Sequence, residues 1–359
     1  MPPFQMPAEA IADEVKNFQE KLMGGVSNLL DMPEVRVGIT PHEVVYQEDK
    51  VRLLHYYCDE TSAQAEPRNP IPLVVVYALI NRPYMLDLQE GRSTLRCLLE
   101  AGQDVYLVDW GYPEAAERFL TLDDYLNDYL DLCIDKVCEV TGSNQVNLLG
   151  ICQGGTFSLC YSAMHPEKIK NLVTMVTPVD FQTPDSHLSH WAQNVDIDLL
   201  VDTLGNIPGA LLNWTFLNLK PYQLMGQKYL NMVDMMSDKT LLQNFMRMEK
   251  WIFDSPDQAG ETFRQFIKDF YQANRLINNT LQIGDYQVDL ANITMPVLNV
   301  YAEQDHLVPP SSSKALKHYV KSDDYDELVF QGGHIGIYVS GKAQKMIAPA
   351  IGAWLSEHP

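Results

Sequence analysis

VNLLGICQGGTFSLCYSAMHP, residues 146–166, is the stretch on which the fold turns. Its first seven residues form an apolar run of strand length, the pattern of a strand buried on both faces of a parallel sheet. The remainder reads as a helix. Between the two, Gly150-Ile151-Cys152-Gln153-Gly154 is G-x-S-x-G with cysteine in the serine's place. That motif carries meaning when a strand precedes it and a helix follows, as here. A tight turn of this kind holds its central residue in a strained backbone conformation, and glycines two residues either side relieve the crowding. The backbone N–H of Gln153 would point at a developing oxyanion, and a helix N-terminus favours a thiolate. Cys152 is the candidate nucleophile.

Upstream, residues 10–30 read as an amphipathic helix, and VVYQEDKVRLLHYYC (44–58) reads as an antiparallel pair of strands. PLVVVYALI (72–80) and DVYLVDWG (104–111) are further buried strands, separated by a helical segment near 90–101. The stretch 120–142 is a helix that Thr121 is placed to cap, with Asp123 and Asp124 in its first turn. Downstream comes a fourth buried strand, NLVTMVTPVD (171–180), after which the alternation stops. Residues 182–290 carry Leu, Met, Trp, Phe and Tyr at helical spacing. The alternation resumes with PVLNVYAEQD (296–305), a helix over 311–320, YDELVFQGGH (325–334) and a closing helix over 343–356. Strand and helix alternating in this way indicate an α/β fold with a mostly parallel central sheet flanked by helices. With the elbow, it is the α/β-hydrolase fold. The expected division is an N-terminal helical segment (1–42), a catalytic core (43–181 and 291–359) and a helical cap inserted over the sheet's carboxyl edge (182–290).

On that fold the triad follows the chain order nucleophile, acid, base, with acid and base each just beyond a late strand. Asp305 ends PVLNVYAEQ, and His334 follows ELVFQ and the pair Gly332-Gly333. Their separation, 334 − 305 = 29 positions, suits one helix and one strand. A carboxylate both orients an imidazole and stabilises its cation, which favours Asp305 over its neighbour His306. None of the remaining histidines, His42, His55, His165, His187, His190, His318 and His358, follows a late strand in this way. A second oxyanion donor is expected in the loop after 72–80, around Ile80 and Asn81.

Composition narrows the partners. A formal net charge of −21 argues against nucleic acid and anionic lipid as partners. No apolar stretch approaches the roughly 20 residues of a membrane helix, and the N-terminus lacks a signal-peptide pattern, so a soluble cytoplasmic protein is expected. The six cysteines are spread through the chain, and most are expected as small buried hydrophobes rather than disulfide partners. Cys133 and Cys138 lie in one helix without a second pair, so no metal is expected, and no phosphate loop or dinucleotide fingerprint is present.

A thiol nucleophile suits acyl transfer from a thioester. Thiolate attack on a thioester is nearly isoenergetic, and the acyl group stays activated until a hydroxyl takes it, provided water is excluded. GICQGG around Cys152, YALINRPYMLDLQ (77–89), DVYLVDWGYP (104–113), LVTMVTPVDF (172–181) and GGHIGIYVSGKA (332–343) closely resemble the polyhydroxyalkanoate synthases. The short chain resembles the catalytic subunit of the class III, two-component enzymes. The resemblance implies polymerisation of (R)-3-hydroxyacyl-CoA, chiefly 3-hydroxybutyryl-CoA, into polyester with release of CoA, and no cofactor beyond that thioester substrate. It also implies a second subunit of the PhaE type, a homodimer of catalytic chains and residence on cytoplasmic polymer granules. The triad carried over is Cys152, Asp305 and His334. Residues 211–233, with Trp214, Phe216 and Met225, are candidates for meeting the hydrophobic product, and Arg82, Lys220, Lys228 and Arg264 for the CoA phosphates. The competing reading is a cysteine hydrolase of the dienelactone-hydrolase kind, which shares the G-x-C-x-G elbow but lacks so large an insertion.

Overall fold

The β-branched runs become the sheet's interior because their side chains can be covered from both sides. The computed structural model describes Lys16, Lys228, Met232 and residues 34–58, 69–219 and 235–359. The expected helix over 10–30 lies outside the described residues except at Lys16, and so do Lys220 and Met225. The strands of the main sheet are β1 (His42–Glu48), β2 (Val51–Tyr56), β3 (Leu73–Val76), β4 (Val105–Asp109), β5 (Val146–Ile151), β6 (Ile169–Met175), β7 (Val297–Ala302) and β8 (Tyr325–Phe330). They form one sheet in the order β1-β2-β4-β3-β5-β6-β7-β8. β1 and β2 pair antiparallel, β2 runs antiparallel to β4, and every later neighbour is parallel. The parallel core places the carboxyl ends of β3, β5, β7 and β8 along one edge, where an open α/β sheet holds its site.

Alternation within each strand splits the core into two layers. Val74 and Val76 of β3, with Val146 and Leu148 of β5, face one layer; Leu73, Val75, Leu149 and Ile151 face the other. The second layer is closed by α1 (Thr94–Glu100), through Leu95 and Leu98. The first is closed by α2 (Asp131–Thr141) and α3 (Gln153–Met164), through Ile134, Val137, Phe157 and Tyr161. Each such buried side chain contributes about 1.5–3 kcal/mol of transfer free energy. Thr121 caps as expected: its hydroxyl accepts from the Asp124 N–H at 3.4 Å while the Asp124 carboxylate accepts from the Thr121 N–H at 2.6 Å. A π-helical stretch, Asp124–Leu130, precedes α2, a feature that sequence periodicity does not reveal.

The middle of the chain is helical through α4 (His187–Ala192), α5 (Ile197–Leu204), α6 (Gly209–Leu219), α7 (Lys239–Phe253) and α8 (Gly260–Gln265). Its last part departs from a simple cap. Phe266, Phe270, Leu276, Leu281 and Ile283 join the main core beside α3, and Gln282–Ile283 pairs with Tyr286–Gln287 as a short hairpin. Beyond β8, α9 (Gly341–Glu357) returns over the sheet and packs Ile347, Ile351 and Leu355 into the layer of α1.

Candidate active site

Cys152 sits at the tip of β5 with φ +54° and ψ −123°, a region a side chain enters at a cost of order 1–3 kcal/mol. Its surroundings hold it there. The Cys152 N–H donates to the Met175 carbonyl at 2.9 Å, prolonging the ladder to β6, and its carbonyl accepts from Gly155 and Thr156, opening α3. The flanking glycines are required by space. A Cβ on Gly150 would lie 2.5 Å from the Gly155 Cα and the Ser158 hydroxyl, and one on Gly154 would press into the backbone of Val76 and Tyr77 at the end of β3. As the first helical residue, Gln153 has an N–H with no acceptor inside the helix.

His334 and Asp305 come together from β8 and β7. The imidazole Nδ1 lies 2.6 Å from Asp305 Oδ2, with both side chains buried. Asp305 Oδ1 accepts from the N–H groups of Leu307 and Val308 at 2.9 and 3.0 Å, so the carboxylate is held at both oxygens. Burial opposes a charge on His334. The Asp305 carboxylate and the Cys152 sulfur outweigh it, and with their hydrogen bonds they push the imidazole up to about 10. The Tyr338 hydroxyl lies 3.4 Å from Nε2.

Cys152, Gln153, Ile80, Asn81 and His334 line one cavity of about 190 Å³; Asp305 stands behind His334, outside the lining. His306 lines the cavity, while the neighbouring Asp305 makes the bond to His334. The other walls come largely from the helical middle of the chain, including Leu188, Phe216, Leu217 and Trp251. Phe216 thus faces the cavity, whereas Trp214 on the same helix is exposed. Of the cations expected to meet CoA phosphates, the three among the described residues are otherwise engaged. Arg82 pairs with Asp109 at 3.4 Å and covers the Tyr112 ring, Arg264 binds Asp198, Asp202 and Glu261, and Lys228 pairs with Glu249. A guanidinium already shared among three carboxylates is a poor phosphate ligand.

Sequence reading missed what supports the loop after β3. Gln153 Oε1 accepts from the Leu79 N–H at 3.1 Å, and Gln258 Nε2 donates to the Leu79 carbonyl at 2.8 Å. Trp251 Nε1 donates to the Arg82 carbonyl at 2.8 Å, and the Ser255 hydroxyl bonds the Asn81 side chain. Tyr84 and Tyr112 both donate to Asp254, at 3.0 and 2.8 Å. No local motif marks Trp251, Asp254, Ser255 or Gln258; Gln153 lies inside the elbow, and Tyr84 and Tyr112 lie within stretches that carry the family resemblance.

The geometry brings a thiol and a carboxylate-bound imidazole together in one cavity at a strand–helix elbow. A family model described as the alpha/beta hydrolase fold matches residues 71–340. The poly(3-hydroxyalkanoate) polymerase subunit PhaC of Allochromatium vinosum is 61% identical over 355 residues, covering 99% of each chain. The chain belongs to the PhaC family. The polymerase subunit PhaC of a Synechocystis species is 55% identical across 98% of this chain and 94% of its own. Among solved structures, a soluble variant of Saccharomyces cerevisiae monoglyceride lipase superposes with a TM-score of 0.56 at 13% identity, covering 91% of this PhaC-family chain and 97% of its own. At that identity the likeness concerns the fold alone. Among the described residues no helix is long and apolar enough to cross a membrane.

Proposed function

We propose that this chain polymerises (R)-3-hydroxyacyl-CoA, chiefly 3-hydroxybutyryl-CoA, into polyhydroxyalkanoate through a covalent acyl-thioester on Cys152. The observation that carries the reading is a cysteine at a strained strand–helix turn. It shares a cavity with an imidazole whose far nitrogen is bonded to a buried carboxylate. His334 takes the Cys152 proton as the sulfur attacks the thioester carbonyl, and returns it to the departing CoA sulfur. The 3-hydroxyl of the next unit, deprotonated by His334, then attacks the acyl carbon. The carbon–sulfur bond to Cys152 breaks as the oxoester forms. Asp305 orients and charges the imidazole. With one oxygen on His334 and the other on two backbone N–H groups, it is built for orientation rather than for direct attack on the hydroxyl. The backbone N–H of Gln153, with that of Ile80 or Asn81, holds the oxyanion. The CoA thioester is substrate and CoA product, with no other cofactor in the scheme.

The cavity walls support an acyl end entering while water is kept out: Leu188, Phe216, Leu217, Trp251 and Phe266 are all apolar. Family resemblance supports a second subunit of the PhaE type, a homodimer of catalytic chains and attachment to cytoplasmic polymer granules. The exposed Leu199, Leu211, Trp214 and Phe253 supply apolar surface for such contacts.

The test is incubation with (R)-3-hydroxybutyryl-CoA while free thiol and turbidity are followed, with mass spectrometry of the Cys152 peptide. The expected result is CoA release matched by polymer, and an acyl adduct on Cys152. Free 3-hydroxybutyrate as the only product would sink the polymerase reading and favour a cysteine hydrolase. Polymer formation by Cys152→Ala would sink the covalent mechanism.

A further inference from the structure

The loop after β3 is held at one residue, through the two peptide groups that flank it. Leu79 gives its N–H to Gln153 Oε1 and its carbonyl to Gln258 Nε2, and both glutamines are buried. Gln258 approaches Leu79 more closely than its other carbonyl neighbours, Pro256 and Asp257, both at 3.5 Å. Its own backbone is clamped, since Gln258 and Ile207 exchange two N–H···O=C bonds of 2.9 Å in an isolated bridge. Leu79 turns away from the cavity into the core, while Ala78 and Ile80 on either side line the cavity.

A trans peptide is planar, so its carbonyl and its N–H point in opposite directions. The carbonyl of Leu79 and the N–H of Ile80 belong to one such plane. Fixing the carbonyl on Gln258 therefore fixes the direction of the Ile80 N–H. We propose that Gln258 is a positioning residue: it aims the Ile80 N–H at the oxyanion and makes that donor's placement depend on the docking of the segment around Ile207 and Gln258. The inference rests on the acyl-Cys152 reading above and adds to it which distant side chain completes the oxyanion site. Without Gln258 the Leu79 carbonyl is buried and unpartnered, and the plane can rotate to find another donor, taking the Ile80 N–H with it.

The test compares the wild type with Gln258→Met, which keeps the side-chain length and removes the amide. Three quantities are measured: turnover of 3-hydroxybutyryl-CoA, affinity for 3-hydroxybutyraldehyde, and the rate of Cys152 alkylation by iodoacetamide. The aldehyde adds to the sulfur as a tetrahedral hemithioacetal and so needs the oxyanion donors; displacement of iodide passes through no oxyanion. The expected result is a fall in kcat of about 10- to 100-fold, below the roughly 10²–10³-fold cost of deleting a donor outright. KM should stay within about threefold, aldehyde affinity should fall in parallel with kcat, and alkylation should be unchanged. Gln258→Asn, which withdraws the amide by one methylene, carries the same test where Gln258→Met yields no folded protein. Wild-type kcat in either folded variant would overturn the proposal, as would equal losses of kcat and alkylation. Absence of an acyl adduct on wild-type Cys152 would instead overturn the covalent reading itself, so the two failures are distinguishable.

Discussion

Replacing Asp305 by asparagine separates orientation from packing at this site. The two backbone N–H groups of Leu307 and Val308 hold one carboxylate oxygen at 2.9 and 3.0 Å. An asparagine has a single acceptor, and those two donors claim it. The new NH2 group then takes the place of the oxygen that lies 2.6 Å from His334 Nδ1. Two N–H groups cannot face each other at that distance, so the ring moves its proton to Nε2 and offers a lone pair at Nδ1. Nε2, the nitrogen on the Cys152 side, then donates where a base must accept. The corresponding wrong-tautomer substitution in serine triads lowers kcat by about 10⁴, which converts to roughly 5.5 kcal/mol in the barrier. A thiol needs less help to ionise than a hydroxyl, so a loss of about 10³–10⁴ is expected here.

Stability should change less, because the bonds to Leu307 and Val308 survive, but it should change with pH. His334 is raised above its unfolded value, to about 10, and Asp305 is a major cause. A raised base stabilises the fold fully below its unfolded pKa and loses that contribution as pH climbs through the folded one. The difference in Tm between wild type and Asp305→Asn should therefore be largest near pH 6 and shrink toward pH 10. The assay is CoA release with a thiol reagent, alongside melting curves across that range. A kcat within tenfold of wild type would refute the reasoning and turn attention to His306, which lines the same cavity.

Three further outcomes follow from the geometry. Gly154→Ala drives a methyl into the Val76 and Tyr77 backbone, which cannot rotate away, so denaturant titration should show a loss of at least about 1–3 kcal/mol together with slower Cys152 alkylation. At pH 7, iodoacetamide followed by peptide mapping should label Cys152 ahead of Cys97, Cys133, Cys138 and Cys160. Burial raises all four of those thiols, Cys133 to about 12; equal labelling of Cys133 would contradict the packing. Asp254→Ala removes the shared acceptor of Tyr84 and Tyr112, bonds of the charged kind worth about 1.5–3 kcal/mol each. Hydrogen exchange should then quicken in Lys239–Phe253 while β5 and β6 keep their protection, and unchanged exchange there would show that Asp254 does not anchor the segment.

What the sequence determined by itself was local. A run such as VNLLGIC buries both faces of a strand because its side chains leave no polar face, and an elbow is legible because five adjacent residues build it. Asp305 and His334 were legible for a related reason: each closes a strand whose parallel neighbours are themselves readable, so topology carries them to one edge. The tertiary structure decided what adjacency does not encode. Gln258 lies 179 residues from the Leu79 carbonyl it holds, and Asp254 lies 170 from Tyr84. Neither sits in a pattern that periodicity or spacing would mark. The same holds for the cations, since Arg264 looked available for phosphate until folding brought Asp198 and Asp202 to it. The packing of Phe266 and Phe270 into the main core, rather than over it, was equally invisible, because a helix's apolar stripe shows that it packs but not against what. The elbow can be read from five residues. The side chains that brace the loop beside it can be read only once the chain has closed on itself.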